Sequence, residues 1–363
     1  MRADIQAYSS AATRATLTSM TAAGGNPVLL CILTQVNYSR HTTGLHRLSL
    51  ILVLPLLLAA ANSPALRQVA MLDLPARPGF EGAALARGML LLSHGAAGTV
   101  DLFDTQKRRV VGHVRNMSSP RGIVYDDAAH MVYVANAGAS NIVTISTQDW
   151  QVQRTIPVDG SPQELLLLPA EQLLFVTLPE KQSVAVLDLS ASGLPVTQAA
   201  IEGHPRALAW DAARRQLYVT VQDRRSVLVM SPSLKLLRRI QLNASEPTGI
   251  VFSARHDRIY VAVRYAVLAL NPDSGDELSR TAVAGGIDRV VFDEASDSLI
   301  GAAEGSVVVL PAAAVLGQAD ELPVDVKGHS IVYDTSTGTI YLPGGREGRS
   351  KLLILRRTQA QSR

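Results

Sequence analysis

Proline recurs in this chain at positions 78, 120, 162, 205 and 247, at spacings of 42, 42, 43 and 42, and Ile287 and Gly328 carry the series on at 40 and 41. A fixed period of this length means one repeated supersecondary unit, because such a unit buries its apolar face only against a neighbouring copy. Thirteen residues after each anchor stands a bulky side chain: Leu91, Tyr133, Phe175, Tyr218, Tyr260, Ile300 and Tyr341. Five residues after the anchor, six of the seven units are bulky again, with Tyr125, Leu167, Trp210, Phe252, Phe292 and Tyr333. The first unit departs from the pattern. It has Ala83 at that position and Glu81 inside its apolar run, which points to a local slip of register.

Each unit is a series of short runs separated by turn residues. In the second unit the runs are 121–126, 131–135, 142–146 and 153–158, with Asp126-Asp127-Ala128, Asn136-Ala137-Gly138 and Thr147-Gln148-Asp149 between them. Short runs rich in β-branched residues and bounded by Gly, Asn and Asp are strands. No stretch sustains a 3.6-residue period, apart from a weak helical turn expected around 312–318. Four strands per ~42 residues is the pattern of a β-propeller blade. The last unit offers runs at 331–334, 339–342 and 351–356 and lacks a fourth, while QVAMLDL at 68–74 precedes the first anchor and belongs to no unit. The expected fold is therefore all-β: a seven-bladed β-propeller over 68–356, its last blade closed by an N-terminal strand that removes an exposed edge. A short tail, 357–363, follows.

Unit two reads YVANAGASNIVTIST at 133–147 and TIPVDGSPQEL at 155–165, and Tyr218-Val219-Thr220 and Tyr260-Val261-Ala262 repeat its core. These segments resemble the YVTN-repeat family, the YncE-like seven-bladed propellers. The resemblance implies export and a propeller. It implies no catalytic residue set, so none is carried over.

The N-terminal segment differs in character. His46-Arg47 precede LSLILVLPLLLAAA at 48–61. A run of fourteen residues falls short of the ~20 of a membrane span and matches the apolar region of a secretory signal peptide, with Ala59 and Ala61 as small residues before cleavage. A signal peptide over 45–61 is expected, with an uncleaved anchor as the alternative. Residues 1–44 are Ser-, Thr- and Ala-rich and too long for the leading part of such a signal. They read either as an extension upstream of initiation near Leu45 or as an organelle transit peptide. The expected location is periplasmic or extracellular.

Charge and cysteine narrow the chemistry. The sequence carries a formal +3, but the segment 1–61 holds four arginines against Asp4 alone. The remaining residues balance at 30 basic and 30 acidic. A globally basic nucleic-acid binder is disfavoured, since phosphate neutralisation needs surplus Lys and Arg. The one cysteine, Cys31, lies in the leading segment, so the body has no disulfide, thiolate metal site or covalent haem attachment. Ten of the fourteen body aromatics occupy the two repeat positions above, which leaves too few for a sugar-stacking platform.

In a propeller, the residue after each anchor sits near the mouth of the central channel. That ring reads Gly79, Arg121, Gln163, Arg206, Thr248, Asp288 and His329, with His204 and Glu246 just before their anchors. His94, Asn136 and the 344–348 loop, GGREG, are expected on the same face. Arg121, Gln163, Arg206, Asp288, His329 and His204 are the candidate ligand-binding residues, because paired guanidinium groups with a histidine can hold a small anion. Two other sites are conceivable: a metal held by His94, His204 and His329, and a lactonase-like hydrolytic pair of Asp288 and Glu246. Asp104 and Asp126-Asp127 read as turn residues. The expected function is an exported, monomeric binding scaffold for a small ligand or protein partner, with no cofactor. A lactonase-like hydrolase and a nucleic-acid-binding propeller are the alternatives.

The signal-peptide reading has a direct check. Exported protein is expected to begin at Asn62, and N-terminal sequencing that finds 1–44 still attached contradicts it.

Overall fold

The computed structural model describes residues 66–358 apart from 304, 313 and 314. The expected extension over 1–44, the signal peptide over 45–61, the predicted cleavage site, Cys31 and the end of the tail lie outside the described residues. Within them, 28 strands form seven antiparallel four-stranded sheets. The second blade shows how closely the runs map onto strands: Pro120–Asp126, Met131–Asn136, Asn141–Ser146 and Val152–Pro157. Its strands follow one another in sheet order, as they do in blades one to six. Of the helical turn expected around 312–318, the described residues, 312 and 315–318, show none. Ala312 and Leu316 instead pair as an isolated antiparallel bridge, since both side chains are buried in the core shared by blades five and six. No helix among the described residues is long and apolar enough to cross a membrane.

The two repeat positions are the two sides of each blade interface. All seven residues at anchor plus thirteen are buried. Each packs in one cluster with the anchor-plus-five residue of the next blade: Leu91 with Tyr125, Tyr133 with Leu167, Phe175 with Trp210, Tyr218 with Phe252, Tyr260 with Phe292, Ile300 with Tyr333 and Tyr341 with Ala83. The ring pairs among them sit at centroid distances of 6.3 Å (Phe175–Trp210), 5.9 Å (Tyr218–Phe252) and 6.2 Å (Tyr260–Phe292), within the range where aromatic contacts add to burial. Between blades seven and one the partner is only Ala83, and Phe80, Leu85 and Phe103 fill the space.

Near the axis the innermost strands touch through backbone. Gly122 N–H donates to the Gln163 carbonyl at 2.9 Å and Gly249 N–H to the Ile287 carbonyl at 3.1 Å. A Cβ on Gly82 or Gly122 would collide with the neighbouring blade's carbonyl at Arg121 or Gln163, so these contacts require glycine.

Ring closure is as expected. Leu66–Asp73 pairs antiparallel with Arg349–Arg357, Leu66 opposite Arg357 and Asp73 opposite Lys351, and Lys351 Nζ meets the Asp73 carboxylate at 2.6 Å. The chain then passes to blade one through a loop that His94 holds. His94 is fully buried. Its Nε2–H donates to the Arg77 carbonyl at 2.6 Å, and its Nδ1–H to Asp101 at 2.9 Å. Asp101 also accepts from Thr99 and His113. With an acceptor on each nitrogen, the imidazolium is the form that satisfies both. Burial pushes His94 down, but Asp101 and the Arg77 carbonyl outweigh it and hold the ring above its ordinary 6.5. Burial likewise pushes Asp101 up, while hydrogen bonds from His94, Thr99 and His113 hold it below the ordinary carboxylate range.

Two outcomes follow for stability. Deleting 66–73 exposes the edge of Arg349–Arg357, and loss of the cooperative thermal transition or aggregation is expected; unchanged unfolding contradicts closure by this strand. The second concerns pH. The raised His94 stabilises fully below about pH 6.5, and its contribution is lost as pH rises through the folded value. The lowered Asp101 stabilises above about pH 3.8 and is lost as pH falls through its folded value. Stability from this contact is therefore greatest between about pH 4 and 6.5. His94→Gln is expected to flatten the decline in Tm as pH rises above about 6.5, and an unchanged slope contradicts the imidazolium.

Candidate ligand-binding site

All seven blades contribute at least one side chain to a cavity of about 220 Å³ at the mouth of the channel, among them Glu81, Arg121, Gln163, Arg206, Thr248, Asp288 and His329 in blade order. Each comes from the start of an innermost strand or the turn entering it, so blade symmetry alone brings them to one depth. Arg121, Gln163, Arg206, Asp288 and His329 thus converge. His204 does not line the cavity, because its backbone N–H and imidazole are both drawn to Asp223, at 2.7 and 3.2 Å.

Glu81 is the residue that repeat arithmetic misplaced. The register of blade one shifts between Phe80 and Gly82. This bulge leaves Glu81 unpaired in the ladder and free to face the channel. The signal was present as a charge inside an apolar run, read only as a slip. Glu81 accepts from Arg121 Nη1 at 3.1 Å and lies 3.7 Å from His329 Nε2. His329 and then Arg121 hold the Glu81 carboxyl below its usual range. In return Glu81, with Asp288 beyond it, holds the His329 imidazole above its ordinary value.

Arg289 and Glu164, one residue further along their strands, were not singled out from sequence. Arg289 Nη1 donates to the Ala83 carbonyl at 3.1 Å and Nη2 lies 3.5 Å from Glu164. Its guanidinium from blade six thus reaches blades one and three, which are not its neighbours, and it crosses the channel.

Three polar side chains of the cavity remain without such commitments. Among the described residues, Arg206, Gln163 and Asp288 make no side-chain hydrogen bond or ion pair, whereas the Thr248 hydroxyl donates to the Ile287 carbonyl at 2.7 Å. A second cavity of about 470 Å³ lies on the same face, lined by Pro78, Phe80, Lys327, His329 and the glycines of the 344–348 turn.

The alternative constellations do not assemble. His94 is buried in blade one, His204 is paired with Asp223 and only His329 lines the cavity, so the three-histidine metal set is dispersed. No group of three or more metal-ligating side chains is found among the described residues. Glu246 is tied to Arg264 at 2.8 Å and does not accompany Asp288 in the cavity. Asp104 and Asp126 cap turns, accepting backbone N–H groups of Lys107 and Ala129.

No curated protein matches the chain. Among solved structures, a catalytically inactive variant of virginiamycin B lyase from Staphylococcus aureus, with quinupristin, superposes with a TM-score of 0.67 at 11 % identity, covering 81 % of this chain and 100 % of that one. A chain of the mitotic checkpoint complex superposes at 0.70 and 8 % identity, covering 88 % and 98 %. At these identities the likeness is one of fold.

The family model of the Cytochrome D1 heme domain matches residues 75–256. That family is one of eight-bladed propellers, and here there are seven blades. The channel mouth of this chain does not fit a haem. At about 220 Å³ it falls below the ~300–1,000 Å³ of drug-sized ligand sites, and Arg289 crosses the channel. The one histidine lining either cavity, His329, has its Nε2 turned to Glu81 at 3.7 Å rather than into open space at the centre of the mouth. The matched residues make up half of the chain, and with that extent of agreement the chain belongs to the Cytochrome D1 heme domain family.

Proposed function

We propose that this protein is an exported propeller that binds a small polar ligand at the mouth of its channel. The observation that carries this reading is the set of three uncommitted polar side chains, Arg206, Gln163 and Asp288, around a small cavity to which all seven blades contribute. Charged groups near a channel are normally paired with neighbours, as Arg121 is with Glu81 and Arg289 with Glu164 here. Groups left free and facing a shared cavity suit a ligand that completes their hydrogen bonds. The apolar run at 48–61 and the YVTN-like sequence of blade two support the periplasmic or extracellular setting and kinship with YncE-like binding propellers.

A thermal-shift screen of small polar metabolites tests this, run in parallel on the wild type, on Arg206→Ala and on the double variant Arg121→Ala/Arg206→Ala. At least one compound is expected to stabilise the wild type, with affinity falling tenfold or more in Arg206→Ala, since a charge-assisted hydrogen bond contributes ~1.5–3 kcal/mol. The unliganded Tm of that variant should stay unchanged. Hits that bind the double variant as well as the wild type overturn the assignment to the mouth.

A further inference from the structure

The uncommitted groups of the mouth are of opposite charge and lie on different sides of it. We infer that the channel mouth takes a small zwitterion, one molecule of amino-acid size with a carboxylate at Arg206 and Gln163 and an ammonium at Asp288. The inference rests on the mouth-binding reading above and narrows it to one class of ligand.

The remaining lining charges are spoken for. Arg121 is paired with Glu81, Arg289 with Glu164, and His329 leans on Glu81. What is left is one guanidinium and one neutral amide on the adjacent blades four and three, and one carboxylate on blade six. A plain carboxylate would pair with Arg206 and leave Asp288 covered with no counter-charge within ion-pair distance, His329 acting on it only from further off. A plain amine would pair with Asp288 and leave Arg206 in the same state. Covering a charge without pairing it is costly, so a ligand with both charges is favoured over either half.

The wall between the two poles has its own character. Ala207 and Thr248 lie there, the first without a polar group and the second with its hydroxyl committed to the Ile287 carbonyl. That stretch offers a ligand no free donor and suits the methylene spacer between an ammonium and a carboxylate. The volume, about 220 Å³, admits a free amino acid and excludes a larger peptide.

Calorimetric titration of the full chain with unbranched ω-amino acids from glycine to 6-aminohexanoate decides the matter, with the matched alkyl carboxylates, alkylamines and dicarboxylates as controls. One chain length is expected to bind tightest. Its matched carboxylate and amine should bind at least about tenfold more weakly, and Arg206→Gln and Asp288→Asn should each weaken the amino acid by a similar factor. In Asp288→Asn the preference for the amino acid over the matched carboxylate should disappear. A carboxylate or dicarboxylate that outbinds every amino acid and remains sensitive to Arg206 overturns the zwitterion while leaving the mouth as a binding site. Binding by no member of the amino-acid series likewise overturns the zwitterion, with the mouth then judged by the metabolite screen. Amino-acid binding unchanged in both variants overturns the two readings together.

Discussion

Every other feature of this protein depends on one contact repeated seven times: a bulky side chain from the second strand of a blade packed against the first strand of the next. Each blade is a thin sheet with two faces to cover and no core of its own. The buried residue at anchor plus thirteen and the half-buried one at anchor plus five supply that cover between neighbours. Fully burying such a side chain is worth roughly 1.5–3 kcal/mol. In an open array the two end units would lose one neighbour each and need capping. A closed ring has no ends, and the pairing of Leu66–Asp73 with Arg349–Arg357 is what closes it.

Closure also determines where the chemistry can lie. Because the innermost strands all start on one face, residues at one repeat position meet around one axis even when they are far apart in sequence. The strands approach each other so closely that glycine is required at positions 82 and 122. Larger side chains at the neighbouring positions are therefore directed into the channel mouth rather than between blades. Arg289 illustrates the result: one guanidinium joins blades six, one and three. The mouth is consequently a polar, charge-balanced cavity, unlike the apolar blade interfaces that surround it.

Membership of a haem-domain family does not settle what this channel holds. The same blade grammar can close with seven copies or eight, and the diameter of the central space changes with the count. Here the space left at the mouth is small, crossed by an arginine and lined by paired charges. The fold rests on its packing positions, whereas the ligand is a property of the few residues that enter the channel.

Periodicity was the part of the structure that the sequence determined by itself. A 42-residue spacing, turn residues at regular intervals and an orphan strand at the front fix seven four-stranded blades and their closure, because strand alternation and the need to bury both sheet faces are local and repeated. The same arithmetic placed Arg121, Gln163, Arg206, Asp288 and His329 at one mouth. Tertiary structure decided the rest. Glu81 enters the cavity only through a bulge, which depends on pairing rather than on spacing. His204 is withdrawn by Asp223 from a neighbouring turn of its own blade. His94, expected on the face that carries the mouth, serves as a buried clamp on the loop that follows the closing strand. Which charges are spent on one another and which stay free depends on distances across the ring, between residues as far apart in the chain as Glu81 and His329, and no local pattern in a sequence encodes those.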